Sequence, residues 1–73
     1  MAIIKVIEVL AQSNESWEDA TRIALKEAAK TIKNIKSIYV KEFQAIVENN
    51  EIAVYRVNAK ISFEVMDTMR ADE

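Results

Sequence analysis

Two side chains that commonly perform catalysis are absent from this chain of 73 residues. There is no Cys and no His, so the chain has no thiolate nucleophile, no imidazole base, no imidazole metal ligand and no disulfide. No nucleophile stands out with a base to activate it, and every carboxylate has an ordinary surface role as an alternative. We therefore expect no catalytic residues, and a binding or structural protein rather than an enzyme.

Two carboxylates on the expected strands, Glu42 and Glu64, raise the alternative of a cation site. Calcium takes six or more oxygen ligands, whereas lone acids on strands are usually solvated. An ion pair between Arg56 and one of these two carboxylates is the simpler expectation. We therefore assign no metal site.

Aromatic side chains are the other candidates, because a ring offers a stacking surface for a planar ligand. Trp17 opens the apolar stripe of the expected helix, so we expect it to pack as a core or interface anchor. Tyr39 has two interpretations that the sequence leaves open. It is either a ring in a ligand site or a side chain buried at a subunit contact, where Tyr is enriched.

Charge and hydropathy limit the classes of partner. The formal net charge is −2, and the lysines are scattered among carboxylates, so the chain has no basic footprint for a nucleic acid. No stretch approaches the ~20 apolar residues of a membrane span. Lys5 and Glu8 interrupt the apolar N-terminal segment, which makes it a poor secretory signal. We expect a cytoplasmic protein that binds neither nucleic acid nor membranes.

The N-terminal half predicts a strand followed by a helix. Residues 3–10 are rich in Ile and Val, which favours a strand. Ser16 and Asp19 have the spacing of a capping box, in which the hydroxyl and the carboxylate each accept a hydrogen bond from an exposed backbone N–H. A helix should therefore begin near Trp17 and end near Asn34 or Ile35. The residues at helical spacing on its apolar side are Trp17, Thr21, Ala24, Leu25, Ala28, Ile32 and Ile35.

The C-terminal half predicts a hairpin. Asn49 and Asn50 tolerate positive φ and should form the turn between a second strand at residues 37–47 and a third at residues 55–65. The third strand alternates cleanly between apolar and polar residues, so one of its faces should meet the helix. The second strand is apolar on both sides. Ile38, Val40 and Ile46 lie on one side, and Tyr39, Phe43, Ala45 and Val47 lie on the other.

This order of elements predicts an α+β fold. A β-α-β-β chain forms a fully antiparallel sheet of strand order 1-3-2, wrapped on one amphipathic helix, if the third strand lies between the other two. We expect a single domain of residues 1–73, with an ordered core at about 3–65 and a polar tail at 66–73. The helix covers one face of the sheet. So small a core adds little to the stability of the fold once an ordering entropy of roughly 1.5 kcal/mol per residue is subtracted. We therefore expect copies of the chain to assemble and cover the other face and both edges.

Five segments in this order and spacing resemble the dodecin family: KVIEVL, SWEDA, TIKNIK, VKE and YRVNAKISFEV. They extend from about Lys5 to Val65. The resemblance implies a hollow homododecamer that binds and stores or sequesters a flavin (riboflavin, FMN or FAD) without catalysis.

The resemblance also implies where a flavin would lie. In flavin-binding dodecins a Trp after the helix stacks on the isoalloxazine ring. This chain has Ser37 at the position of that Trp. Tyr39, on the same side of the strand, could supply a replacement ring. Arg56 stands where those relatives carry a Gln at the polar edge of the flavin, and Gln44 where some carry a basic residue near the ligand's tail. The expected cofactor-binding residues are thus Ser37, Tyr39, Gln44 and Arg56. The alternative is a dodecin-like assembly that binds no flavin, either structural or adapted to another ligand or a cation such as calcium.

Overall fold

The computed structural model describes residues 3–65, which form one helix and three strands. The central strand is the last in the chain, and it pairs antiparallel with both neighbours to give the order β1-β3-β2. The expected fold class is confirmed. The polar tail expected at residues 66–73 lies outside the described residues. The elements are β1 (Ile3–Ser13), α1 (Trp17–Ala29), β2 (Ile35–Glu48) and β3 (Glu51–Val65).

The start of α1 confirms half of the expected capping box. The Ser16 hydroxyl accepts a hydrogen bond from the backbone N–H of Asp19 at 2.9 Å. The Asp19 carboxylate does not complete the box; it accepts a hydrogen bond from the Ser13 hydroxyl at 2.6 Å instead. The acid therefore ties the helix start to the end of β1, which continues three residues beyond the expected residues 3–10.

The expected end of the helix was wrong. The helix stops at Ala29 with Lys30 as its C-cap, about five residues early. Asn34 has a φ of 62°, in the left-handed region that its amide side chain tolerates, and its carbonyl accepts a hydrogen bond from the N–H of Glu64 at 3.0 Å. The chain after Lys30 thus leaves the helix to reach the sheet. β2 accordingly begins at Ile35 rather than at residue 37.

The core between helix and sheet is narrow and built on small side chains. Ala20 and Ala24 of α1 are buried, as are Val57, Ala59 and Ile61 of β3, all three of which are fully inaccessible. The alternation expected in β3 is confirmed, although the strand begins at Glu51. Not every residue of the expected apolar stripe of the helix is covered by the sheet. Leu25 of α1 is 40% exposed.

A bulge in β2 corrects the expected faces of that strand. The register shifts between Val40 and Glu42, so Phe43 lies opposite Val57 and Ala45 opposite Tyr55. Because one extra residue reverses the alternation, Phe43 and Ala45 lie on the helix side of the sheet, together with Ile38 and Val40. The expectation that they share a face with Tyr39 was wrong.

The side of the sheet away from α1, here called the outer face, is uncovered in the subunit. It carries the even-numbered residues of β1, among which Ile4, Val6 and Leu10 are each more than half exposed. The hairpin also projects past β1, because β1 pairs with β3 only from Tyr55 to Val65. The radius of gyration is 15.6 Å, whereas a compact domain of this length has about 11 Å. One subunit is thus elongated and leaves apolar surface open.

Within residues 3–65, no helix has both the length and the apolar character needed to cross a membrane.

The fully buried Ile61 offers a graded test of this core. We expect Ile61→Val to lower the free energy of unfolding by about 0.5–1.5 kcal/mol and Ile61→Ala by about 2–5 kcal/mol, because each deletion leaves a larger cavity beneath α1. Urea denaturation followed by Trp17 fluorescence measures both losses. An Ile61→Ala variant as stable as the parent would contradict the assignment of this residue to the core.

Candidate ligand-binding face

The four residues expected to bind a ligand all lie on the outer face of β2 and β3. Their cross-strand partners place them there, since directly opposed residues of an antiparallel pair point to the same side. Ser37 lies opposite Ser62, Tyr39 opposite Lys60, and Gln44 opposite Arg56. The structure therefore brings the four together in two pairs. Arg56 and Lys60 are four residues apart, so the two pairs are separated by about 13 Å along the strand.

At one end, Arg56 and Gln44 offer complementary hydrogen-bonding groups. Guanidinium groups only donate, whereas the Gln44 amide both donates and accepts. The Arg56 Nε–H donates to Oε1 of Gln12, the residue opposite it on β1, at 3.1 Å. Within residues 3–65 Arg56 makes no ion pair with Glu42 or Glu64, so that expectation was wrong.

Cross-strand register explains this difference. Glu42 lies opposite Asn58 rather than Arg56, and the Glu64 carboxylate lies 3.6 Å from Nζ of Lys36. The hydrogen-bond partner of the Arg56 Nε–H is therefore an amide rather than an acid.

At the other end, Ser37 and Tyr39 present very different surfaces. The hydroxyls of Ser37 and Ser62 are hydrogen-bonded to each other, so this pair on β2 and β3 is polar and offers no ring. The Tyr39 side chain is 64% exposed. Its ring is the one aromatic surface that the expected site residues supply.

Trp17 lies on the opposite side of the sheet, where it anchors the helix. Its indole N–H donates to the backbone carbonyl of Gln44 at 3.0 Å. Its ring meets Tyr55 edge-on at a centroid distance of 4.9 Å and Phe43 at 5.9 Å. The expectation of a packing role is confirmed. Through the carbonyl of Gln44, this contact also fixes the backbone of one candidate site residue.

A charged cluster at the centre of the outer face was missed by sequence reasoning. Nζ of Lys41 reaches across the central strand to Oε2 of Glu8 at 3.4 Å. Hydrogen bonding from the Asn58 side chain, followed by the charge of Lys41, lowers the pKa of Glu8 below its ordinary value of 4.5. The two charges are 33 positions apart in the chain, and Lys41 sits in the bulge. No local pattern in the sequence signals their contact.

No group of three or more acidic side chains lies close enough to hold a metal ion in the described stretch, residues 3–65. The side-chain oxygen of Asn58 is buried and has no hydrogen-bond partner there. Among the buried side-chain polar atoms of the described residues, it is the one without a partner.

A groove of about 460 Å³ runs between α1 and β1 and is separate from the candidate residues. Its walls are mainly apolar and include Ile7, Val9, Ile23 and Ala28. None of the four expected site residues lines it, so this groove and the residues predicted from the sequence do not coincide in one subunit.

The lowered pKa of Glu8 predicts a pH dependence of stability. A carboxylate with a folded pKa below its unfolded value stabilises the fold above that unfolded value, and the contribution is lost as the pH falls through the folded pKa. We expect Glu8→Gln to flatten the fall in unfolding free energy below about pH 4.5. Urea midpoints measured across this range test it, with Glu15→Gln, an exposed loop substitution, as the control. A Glu8→Gln curve parallel to that of the parent would count against the cluster.

Comparison with known proteins identifies the family. The sequence model of the Dodecin family matches residues 3–66. The calcium dodecin of Mycobacterium tuberculosis is 29% identical over 65 residues, which are 89% of this chain and 92% of that protein. Its crystal structure, described as that of a calcium chelating immunodominant antigen, has a TM-score of 0.78 at 28% identity and covers 88% of this chain and 91% of its own. An arginine-to-alanine mutant of the T. thermophilus dodecin has a TM-score of 0.86 at 26% identity, covering 90% of this chain and 98% of its own. The chain belongs to the dodecin family.

Proposed function

We propose that this protein is a non-catalytic, homododecameric small-molecule binding protein that stores or sequesters a flavin (riboflavin, FMN or FAD) on the outer face of its sheet. The observation that carries the proposal is the exposed Tyr39 ring, which lies on that face among the residues expected to bind. Membership of the dodecin family supports the assembly and the class of ligand.

Assembly follows from the surface that one subunit leaves open. Ile4, Val6 and Leu10 expose apolar side chains on the outer face, and Val47 and Ile52 do so on the projecting hairpin. β1 and β2 are edge strands with unpaired backbone groups, which invite contact with further copies. A closed shell covers these surfaces, and the same contacts enclose the ligand.

The residues present fit a planar ligand, with one substitution that weakens the fit. The Tyr39 ring supplies a stacking surface, for which aromatic contacts with bases give a guide of about 1–3 kcal/mol. Arg56 donates hydrogen bonds, and the neighbouring Gln44 adds the acceptor that Arg lacks. Ser37 supplies no ring. A bound flavin provides a redox-active ring system, which storage leaves unused.

The 13 Å between the two pairs constrains how a ligand binds. A ring system on Tyr39 reaches Arg56 of the same subunit only if it lies along the strand, at about 3.3 Å per residue. Otherwise the polar edge of the ligand meets Arg56 and Gln44 from a neighbouring copy. In both arrangements the ligand is enclosed only after assembly, because Tyr39 is open in one subunit.

Calcium binding is the second candidate, favoured by the unpartnered oxygen of Asn58 and by the likeness to calcium dodecin. Glu8 lies near this oxygen, and Glu42 lies opposite Asn58. Against a cation here stands Lys41, whose ammonium group is 3.4 Å from the Glu8 carboxylate. Calcium would therefore have to displace this ammonium group, which makes flavin the stronger candidate.

Flavin fluorescence tests the proposal directly. We expect the purified protein to quench riboflavin at micromolar concentration, Tyr39→Ala to weaken binding about tenfold through loss of the stacking ring, and Ser37→Trp to tighten it by a similar factor. Ile23→Ala is the control, because Ile23 is an exposed apolar residue of α1, on the opposite side of the sheet from the candidate residues.

Absence of quenching by the parent protein would reject the flavin proposal. Heat released on calcium titration, and lost in Glu8→Gln, would then support the second candidate. An unchanged affinity in Tyr39→Ala would place the ligand elsewhere.

A further inference from the structure

We propose that Lys60 is the cationic contact for a phosphate group carried by the ligand, so that the site prefers a phosphorylated planar ligand to its neutral counterpart. The inference rests on the proposed function, since it names a selectivity of the same outer-face site. Sequence reasoning pointed to residue 44 for this contact, where Gln44 has no charge. The structure points to another residue.

Lys60 lies directly opposite Tyr39 in the ladder between β2 and β3. Opposed residues have Cβ atoms about 5 Å apart, so the ammonium group extends beside a ligand that stacks on the ring. The Lys60 side chain is exposed, and within residues 3–65 it has no carboxylate within 4.0 Å and no hydrogen bond. Its charge is therefore available to a ligand.

The acid nearest in register does not cancel this charge. Glu8 lies opposite Lys60 on β1, but the Lys60 charge is the weakest of the influences that lower the Glu8 pKa, after the Asn58 side chain and the Lys41 ammonium group 3.4 Å away. This part of the outer face thus has two ammonium groups for one carboxylate. Glu42 lies one row further towards Arg56, opposite Asn58.

The neighbouring row supplies a second kind of donor. The Ser37 and Ser62 hydroxyls bond to each other, which uses one of their two protons and leaves the other able to donate. Ser62 follows Lys60 by two residues and lies one row away on the same face of β3. With the ring stacked on Tyr39, a phosphate on the ligand's side chain that reaches Lys60 and Ser62 meets an ammonium group and a hydroxyl donor, a donor set suited to an oxyanion.

A comparison of FMN with riboflavin isolates this contact, because the two share one ring system and differ by the phosphate. By fluorescence titration at low ionic strength, we expect the parent protein to bind FMN about tenfold more tightly than riboflavin, the size of one charge-assisted contact. Lys60→Gln should bring the ratio of the two dissociation constants close to one while it changes riboflavin affinity less than about twofold. Lys26→Gln, on an exposed side of α1, should keep the parent ratio.

Three outcomes overturn the inference, and they are distinguishable. Equal binding of FMN and riboflavin by the parent protein rejects it and leaves the proposed function intact. If the preference for FMN survives in Lys60→Gln but disappears in Arg56→Gln, the phosphate contact lies at the Arg56 end of the site. Binding of neither flavin rejects the proposed function together with the inference.

Discussion

One helix covers one face of this sheet, and the rest of the structure follows from that constraint. The 13 residues of α1 span about 20 Å, whereas the 15 residues of β3 span about 50 Å. The small side chains of Ala20 and Ala24 let the helix pack closely on the middle of β3. The residues there that face the helix, Val57, Ala59 and Ile61, are completely buried. The outer face and the hairpin tip have no such cover, so we expect further copies of the chain to complete the core.

The candidate site lies on the surface that assembly would enclose. Tyr39 is exposed in the subunit. A ligand stacked on its ring and a neighbouring subunit packed against it would both lie on this same surface. A ligand held between copies would be stacked, desolvated and contacted by Arg56 and Gln44 only in the assembled protein. Under the proposed function, the affinity for the ligand would depend on assembly, which suits storage.

Local sequence patterns predicted those features that are set by local physics. The alternation in β3 identified Val57, Ala59 and Ile61 as the buried row, and the amide side chains of Asn49 and Asn50 predicted the turn, where both residues have positive φ. The Ser16 cap was also predicted. Features set by register were missed or misplaced. The bulge after Val40 moved Phe43 to the helix side, and the opposition of Gln12 to Arg56 gave the guanidinium an amide partner. The predicted end of α1 was wrong because Ile32 continues the helical spacing of the apolar residues, although the helix itself ends at Ala29.

Sedimentation equilibrium at micromolar protein tests the central claim most directly. If the open outer face and edges require neighbours, the protein should sediment as one species of twelve times the 8.3 kDa subunit mass, with no detectable free subunit. A stable, folded 8.3 kDa monomer under the same conditions would show that one helix suffices to complete the core, and would contradict the account.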